Sequence, residues 1–237
     1  MSAGESLVVT AEMYRRAFAR GAVLAVKNWP VLGSVFAYGA ILSVGAYFAA
    51  FLGIAGGFVL SLLTAACLGS FLYLVEMIVR TNRVSWEDFR RSFGMYLWDV
   101  VAVSFALWLF WQVVTPLLAQ MPQGPVVVLC IELVILVLFN AVPELIYLGH
   151  YPLLQLLSRS YQFVANNWIE WFPPNVLLLA ALGALWVVGV DGVAARVAQT
   201  GATALFLYFA MVVRGLLFIE LDGSTRRSRL FRHKMGR

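Results

Sequence analysis

Long apolar stretches separated by short polar or basic segments form the pattern of this chain. The stretch from Val31 to Val79 carries a single charged residue, Glu76. A transmembrane helix needs about 20 apolar residues, so this stretch is long enough for two spans. The residues LGIAGG at 52–57 interrupt it. The two parts therefore predict a helical hairpin.

Further apolar stretches extend this pattern to the end of the chain. Each is long enough for one span, and the segments between them are short. The predicted fold is an all-α polytopic membrane protein whose six transmembrane helices form three helical hairpins. The predicted spans are 31–52, 57–79, 99–118, 126–148, 174–190 and 202–221, within a transmembrane domain at 31–221. Pro143 is expected to kink or end the fourth span.

Amphipathic segments precede the apolar stretches. At about 100° per residue, the helix predicted at 11–27 has one charged side and one apolar side. Its charged side consists of Glu12, Arg15, Arg16, Arg20 and Lys27. Such a helix typically lies in the membrane interface, so 1–30 is assigned to a cytoplasmic interfacial helix. A basic, aromatic connector at 80–93 and a second amphipathic segment at 150–167 have similar character.

Composition supports a membrane location. Hydrophobic residues make up 62% of the chain and charged residues 12%, whereas soluble domains are about 25% charged. The mean hydropathy is +0.86. We interpret the net charge of +5 as a topological signal rather than as a nucleic-acid footprint. Cys67 and Cys130 both lie in predicted spans, which favours small core residues over a disulfide.

The distribution of basic residues predicts the orientation of the spans. The side shared by both termini carries 16 Lys and Arg residues, and the other side carries only Arg196. This asymmetry predicts that both termini are cytoplasmic, in the inner membrane of a bacterium. The polybasic tail at 222–237 is expected to bind the anionic inner leaflet and another membrane subunit. Its docking residues are Arg226, Arg227, Arg229, Arg232 and Lys234.

Short motifs suggest an internal repeat. A basic residue, a small residue and an aromatic residue occur in order before each predicted hairpin, and a tryptophan follows. The triplets are Arg16-Ala17-Phe18, Arg91-Ser92-Phe93 and Arg159-Ser160-Tyr161, and the tryptophans are Trp29, Trp98 and Trp168. Hairpins that enter from one face would make a parallel repeat, unlike the inverted repeats of many transporters. Within span two, small residues at every fourth position, Gly57, Ser61, Ala65 and Gly69, predict close approach of another helix.

The hairpin plan resembles a known group of membrane proteins. The interfacial helix that ends in Asn28-Trp29, the hairpin after it and the connector Val84-Ser85-Trp86-Glu87-Asp88-Phe89 look like uncharacterised six-span bacterial membrane proteins. Those are similar to the membrane domain beside some glycerophosphodiester phosphodiesterases. The resemblance implies a fold and no reaction, because this chain lacks the hydrolase domain.

One acidic residue lies well inside a predicted span. Glu132 is about seven residues into span four, at a depth of roughly 10 Å. Gln112 lies ten residues before the turn at Pro122 and Glu132 ten residues after it, so the two are expected to face each other at one depth. A neutral Glu132 bonded to the amide would be structural. A protonatable Glu132 would instead serve a proton or cation pathway.

Three further charged residues lie near the predicted inner ends of the spans. Glu76 and Arg80 are four residues apart and predict an ion pair. Arg214 must extend to the interface or find a partner, and the candidates are Glu76, Glu144 and Glu220.

No catalytic or ligand-binding motif stands out. Only two histidines are present, His150 and His233, and we find no zinc, Walker, dinucleotide or nucleophile-elbow pattern. We predict no cofactor, no metal and no enzymatic activity. The predicted function is a scaffold, assembly or accessory subunit of a larger membrane complex; the alternative is a small transporter that uses Glu132. A lipid-modifying enzyme is a third class.

Overall fold

Every secondary-structure element in the described part of the chain is helical. The computed structural model describes residues 3–187, 189 and 191–224, with side chains from residue 7 onward. Its elements are α1 (Ala3–Lys27), α2 (Pro30–Ala49), a 3-10 turn (Ala50–Leu52), α3 (Ile54–Thr81), α4 (Trp86–Ser92), α5 (Leu97–Leu118), α6 (Gly124–Leu138), α7 (Val142–Gly149), α8 (Leu153–Val187) and α9 (Val193–Asp222).

Six helical segments are long and apolar enough to cross a membrane, as the sequence predicts. They are Pro30–Leu52, Ile54–Thr81, Leu97–Leu118, Gly124–Gly149, Leu153–Val187 and Val193–Asp222. The three-hairpin arrangement and the side on which the termini lie stay predictions.

Glycines explain why the first long apolar stretch is interrupted. Gly53 has φ +55°, a conformation that residues with a side chain rarely adopt. A Cβ on Gly56 would collide with the carbonyl oxygen of Ala49. The predicted interruption near Pro143 is also present: α6 ends at Leu138, and α7 begins at Val142 with proline in its first turn.

The prediction of separate elements at 150–167 and 174–190 is wrong. Both belong to α8, a single helix of 35 residues that passes through Pro173 and Pro174. Proline lacks a backbone donor and normally kinks a helix, but membrane helices tolerate it where other groups satisfy the freed carbonyls. Here Pro173 and Pro174 free the carbonyl oxygens of Ile169 and Glu170, and the Tyr14 hydroxyl donates to the Glu170 oxygen at 2.8 Å.

The chain divides into two compact units. The first comprises Met1–Phe36, Val75–Val84 and Asn167–Arg237. In it α1 packs on α9 through a row of buried residues four apart, including Met13, Ala17 and Gly21. The apolar side predicted for α1 therefore covers another helix of the protein, and the rings of Phe18 and Phe209 lie 6.2 Å apart at this contact.

The second unit comprises Ala37–Leu74 and Ser85–Asn166. Its α4 begins with a capping box in which Ser85 accepts from the Asp88 amide and Asp88 accepts from the Ser85 amide. At the other end of α4, buried Ser92 is hydrogen-bonded to Ser70 of α3. The Tyr38 hydroxyl lies 2.6 Å from the same Ser70 oxygen. These hydroxyls fix α4 to α2 and α3.

Of the small residues at every fourth position of α3, the two nearer its C-terminal end are buried. A Cβ on Gly69 would lie 3.0 Å from the Tyr96 carbonyl carbon, so the start of α5 approaches closely there. Ala65 is also buried, whereas Gly57 and Ser61 are exposed. Cys67 is buried as expected, but Cys130 on α6 is exposed.

Candidate functional site

The Asn28 side chain makes three hydrogen bonds to backbone groups of the first unit. Its Nδ2 donates to the carbonyl oxygens of Leu24 at 2.9 Å and Asn82 at 3.3 Å. Its Oδ1 accepts from the Val84 amide at 2.9 Å. Asn28 is only 5% exposed. It thereby joins the end of α1 to the segment that follows α3.

Two further side chains converge on the same place. The buried Tyr208 hydroxyl of α9 donates to the Asn28 carbonyl oxygen at 3.2 Å. Arg20 donates to the Asn82 side chain at 3.0 Å, and Asn82 has φ +63°, which asparagine tolerates better than most residues. This network fixes the entry of α2, and the adjacent Trp29 is 67% exposed.

The predicted ion pair between Glu76 and Arg80 is present. Arg80 Nε lies 3.0 Å from Glu76 Oε1, and only 7% of the Glu76 side chain is exposed. A second pair joins Arg16 of α1 to Glu220 of α9 at 3.3 Å, with both side chains more exposed. Exposed pairs contribute little to stability, so the α1–α9 contact depends mainly on apolar packing.

Arg214 contacts two residues that the sequence did not indicate. Its Nη1 donates to Asn175 Oδ1 at 2.6 Å. Its guanidinium carbon lies 5.0 Å from the centroid of the buried Trp171 ring. A cation over an indole face with an amide acceptor is a favourable site for a half-buried arginine. Of its predicted partners, Glu76 is paired with Arg80 and Glu220 with Arg16.

The predicted hydrogen bond between Glu132 and Gln112 is absent from the described contacts. Both side chains are exposed. The prediction considered depth alone, whereas each residue lies one position past a half-buried residue, Trp111 or Ile131, and is therefore turned about 100° away from it. Gln112 borders an open groove of about 380 Å³ at the end of α5, lined by Trp108, Trp111, Gln112, Thr115, Pro116 and Ala119.

His150 ends α7 in a left-handed conformation, with φ 56°. Its Nε2 lies 3.1 Å from the Tyr96 hydroxyl, and the two rings meet edge to face. Its backbone amide caps α7 by donating to the Leu145 carbonyl oxygen at 3.2 Å, and its side chain is hydrogen-bonded to Tyr96. Within the described residues no three His, Cys, Asp or Glu side chains are grouped so that they could hold a metal ion.

A second open groove of about 520 Å³ follows the first turns of α8. Leu154, Gln155, Ser158, Arg159 and Gln162 line it. Arg159 lies over the Tyr151 ring, 5.4 Å from its centroid. This polar row shows that the first part of α8 has the amphipathic character expected of 150–167.

The three basic-small-aromatic triplets share a feature that the sequence did not reveal. The middle residue is buried in each: Ala17 is 5% exposed, and Ser92 and Ser160 are fully buried. Ala17 lies on the face of α1 that packs on α9, Ser92 bonds to Ser70 of α3, and Ser160 donates to the Leu138 carbonyl of α6 at 3.0 Å.

These contacts follow one rule. Each triplet docks on the second helix of the preceding predicted hairpin, and the first triplet docks on the last helix of the chain. The rule supports the predicted repeat. A small residue between a basic and an aromatic residue was the signal available in the sequence.

No family model, no curated protein and no solved structure matches this chain. The predicted docking residues Arg226, Arg227, Arg229, Arg232 and Lys234 lie outside the described residues.

Proposed function

We propose that this chain is a non-enzymatic integral membrane subunit, a scaffold, assembly or accessory component of a larger complex in a bacterial inner membrane. The observation that carries the proposal is the uneven burial of its spans. Half of the most apolar window of Val193–Asp222 is buried, but only 6% of that of Leu97–Leu118 and 11% of those of Pro30–Leu52 and Gly124–Gly149. Few residues in these three windows are buried, so much of the surface there is left for lipid or for other proteins.

The buried polar groups also support a structural role. Asn28, Ser70 and Ser160 are buried, and each is hydrogen-bonded to backbone or hydroxyl groups that join helices. Sites of chemistry or transport usually leave several polar groups directed into a cavity. Here these three buried side chains join one helix to another or to the segment that follows it.

The expected docking surface combines the connector and the tail. In the connector, α4 exposes Trp86, Arg90 and Arg91, and Arg91 pairs with Glu87 at 3.1 Å. We expect the tail to add its basic residues on the same, cytoplasmic side. A partner that carries carboxylates would form charge-assisted hydrogen bonds with both. Anionic lipid would attract the same residues without selecting one arrangement.

Co-purification from native membranes tests this function. The tagged chain should bring down a partner at a fixed ratio in mild detergent. Deletion of 224–237 should release the partner and leave the spans inserted. A full-length chain whose six basic tail residues are replaced by glutamine is the matched control for charge, and it should also lose the partner. Normal assembly of both variants would contradict the docking role of the tail.

The transporter alternative makes a different prediction. It requires that the chain alone, in lipid vesicles, mediates a proton or cation flux that Glu132→Gln abolishes while stability is unchanged. The proposed function predicts no such flux. A flux that depends on Glu132 would overturn the non-enzymatic subunit role.

A further inference from the structure

The α5–α6 pair exposes two polar side chains where lipid offers no hydrogen-bonding partner. Gln112 lies six residues before the end of α5 at Leu118, and Glu132 lies eight residues after the start of α6 at Gly124. At 1.5 Å per residue these positions are roughly 9 and 12 Å into the spans. Polar residues at such a depth almost always face protein or water.

Both side chains point to the same side of the α5–α6 pair. Half-buried residues at helical spacing mark one row on each helix: Leu107, Trp111, Val114 and Leu118 on α5, and Val128, Ile131, Ile135 and Leu138 on α6. The two helices contact each other and are joined by 119–123, and so short a connection makes them antiparallel.

Gln112 and Glu132 each come one residue after a member of its row, Trp111 or Ile131. The residue that follows a row member lies about 100° around the helix from the row. On two antiparallel helices whose rows face each other, that residue lies on the same side of the pair in both helices. The polar face so defined contains Gln112, Thr115, Leu129 and Glu132.

From these positions we propose that the polar face is a homodimer interface, in which Glu132 of each copy pairs with Gln112 of the other. A two-fold interface requires that residue i meets residue j and residue j meets residue i. Copies inserted with the same orientation place equal depths side by side, and Gln112 and Glu132 differ by only about 3 Å in depth. The Gln112 carboxamide donates and the Glu132 carboxyl accepts, so the two-fold axis forms the same hydrogen bond twice.

The surface of α5 is shaped to receive this contact. The open groove of about 380 Å³ lies beside Gln112 and Thr115 on the polar face. It gives room for the Glu132 side chain of the second copy next to the amide that binds it. A second copy satisfies all these requirements without any new partner, and the proposal does not rest on the scaffold function.

Crosslinking of two differently tagged full-length chains in lipid vesicles tests the dimer. One chain carries Thr115→Cys and the other Leu129→Cys, both with Cys130→Ser. A short thiol crosslinker should join them into a species that carries both tags. Native Cys130 is the matched control, because it is next to Leu129 and exposed but turned about 200° from Glu132. A chain that keeps Cys130 as its accessible thiol should not crosslink to Thr115→Cys.

Substitution of the polar pair distinguishes specific pairing from collision. Glu132→Leu and Gln112→Leu should each weaken dimerisation in vesicles by roughly tenfold, because each removes both reciprocal hydrogen bonds. The double swap Glu132→Gln with Gln112→Glu should restore it. Crosslinking that matches the Cys130 control, or a dimer unaffected by both leucine variants, would overturn the proposal. So would a chain that is monomeric in vesicles and crosslinks through this face only to a different protein in native membranes.

Discussion

Asn28 and Trp29 are neighbours in the sequence and have opposite environments. Trp29 is 67% exposed, whereas the Asn28 side chain is buried and bonded to three backbone groups. An exposed indole at the start of a span suits the membrane interface. The buried carboxamide instead supplies donors and an acceptor where two chain segments meet without regular secondary structure. In the Asn-Trp motif, Trp29 therefore suits the membrane interface, and Asn28 joins two segments of the protein.

Replacement of Asn28 by alanine should destabilise the chain by roughly 2–4 kcal/mol, because several buried backbone groups would lose their partner. Asn28→Asp should cost less, since it keeps the acceptor for the Val84 amide. Unfolding by SDS in mixed micelles would measure both. Asn166→Ala is the matched control because Asn166 is exposed, and we expect a change within about 0.5 kcal/mol. Equal stability of the Asn28 and Asn166 variants would show that the Asn28 hydrogen bonds do not stabilise the fold.

At the residue scale, the sequence predicts how deep a side chain lies in its span, but not toward which side of the helix it points. Residue counting placed Glu132 and Gln112 at one level, yet both are exposed, because each lies one helical step beyond a half-buried row. The Glu76–Arg80 pair was predictable because a separation of four residues fixes both depth and direction on one helix. The partners of Arg214 were not, since Asn175 and Trp171 approach it only after folding.

Helix α1 packs on α9 so closely that position 21 has no room for a side chain. A Cβ on Gly21 would lie 2.6 Å from Cγ2 of Val213, which is fully buried. Valine is branched at Cβ and has little rotamer freedom in a helix, so it cannot turn aside. The glycine thus sets the distance between the first and last helices.

Gly21→Ala should therefore destabilise the chain by about 1–2 kcal/mol, because overpacking outweighs the better helix propensity of alanine. Val213→Ala removes the colliding methyl groups, so the double variant should cost less than the sum of the two single variants. Thermal unfolding in detergent would measure each. Gly33→Ala is the control, since nothing lies within 4 Å of its added Cβ, and it should be neutral or slightly stabilising. Additive effects at Gly21 and Val213 would refute the contact.

Hydropathy predicted the existence of the helices better than their limits. All six spans are present because about 20 apolar residues are a strong signal. The fusion of 150–167 with 174–190 into α8 was missed because Pro173-Pro174 is a local signal for a break. The Tyr14 hydroxyl donates to the Glu170 carbonyl oxygen that Pro174 frees, and no sequence pattern predicts a bond between residues so far apart in the chain.

At the scale of the molecule, burial and charge are distributed unevenly. The most buried spans are α9 and α3, and the least buried is α5. Periodicity could not predict this difference, because spans that face lipid and spans that face protein are both apolar. The docking of the triplets does not explain the difference by itself, since α3, α6 and α9 each receive one and the span that contains α6 is only 11% buried.

The distribution of basic residues gives the last prediction. With 16 Lys and Arg residues on one side of the predicted spans and only Arg196 on the other, a cysteine at Gln123 should react with an impermeant maleimide added to intact cells. A cysteine at Arg232 should react only after the membrane is permeabilised. Both are tested with Cys67 and Cys130 replaced by serine, so that no native thiol contributes. Gln123 lies in the exposed turn between α5 and α6, which removes burial as a reason for failure. Labelling of Arg232→Cys from outside, with protection of Gln123→Cys, would refute the orientation and place the basic tail and the connector away from any cytoplasmic partner.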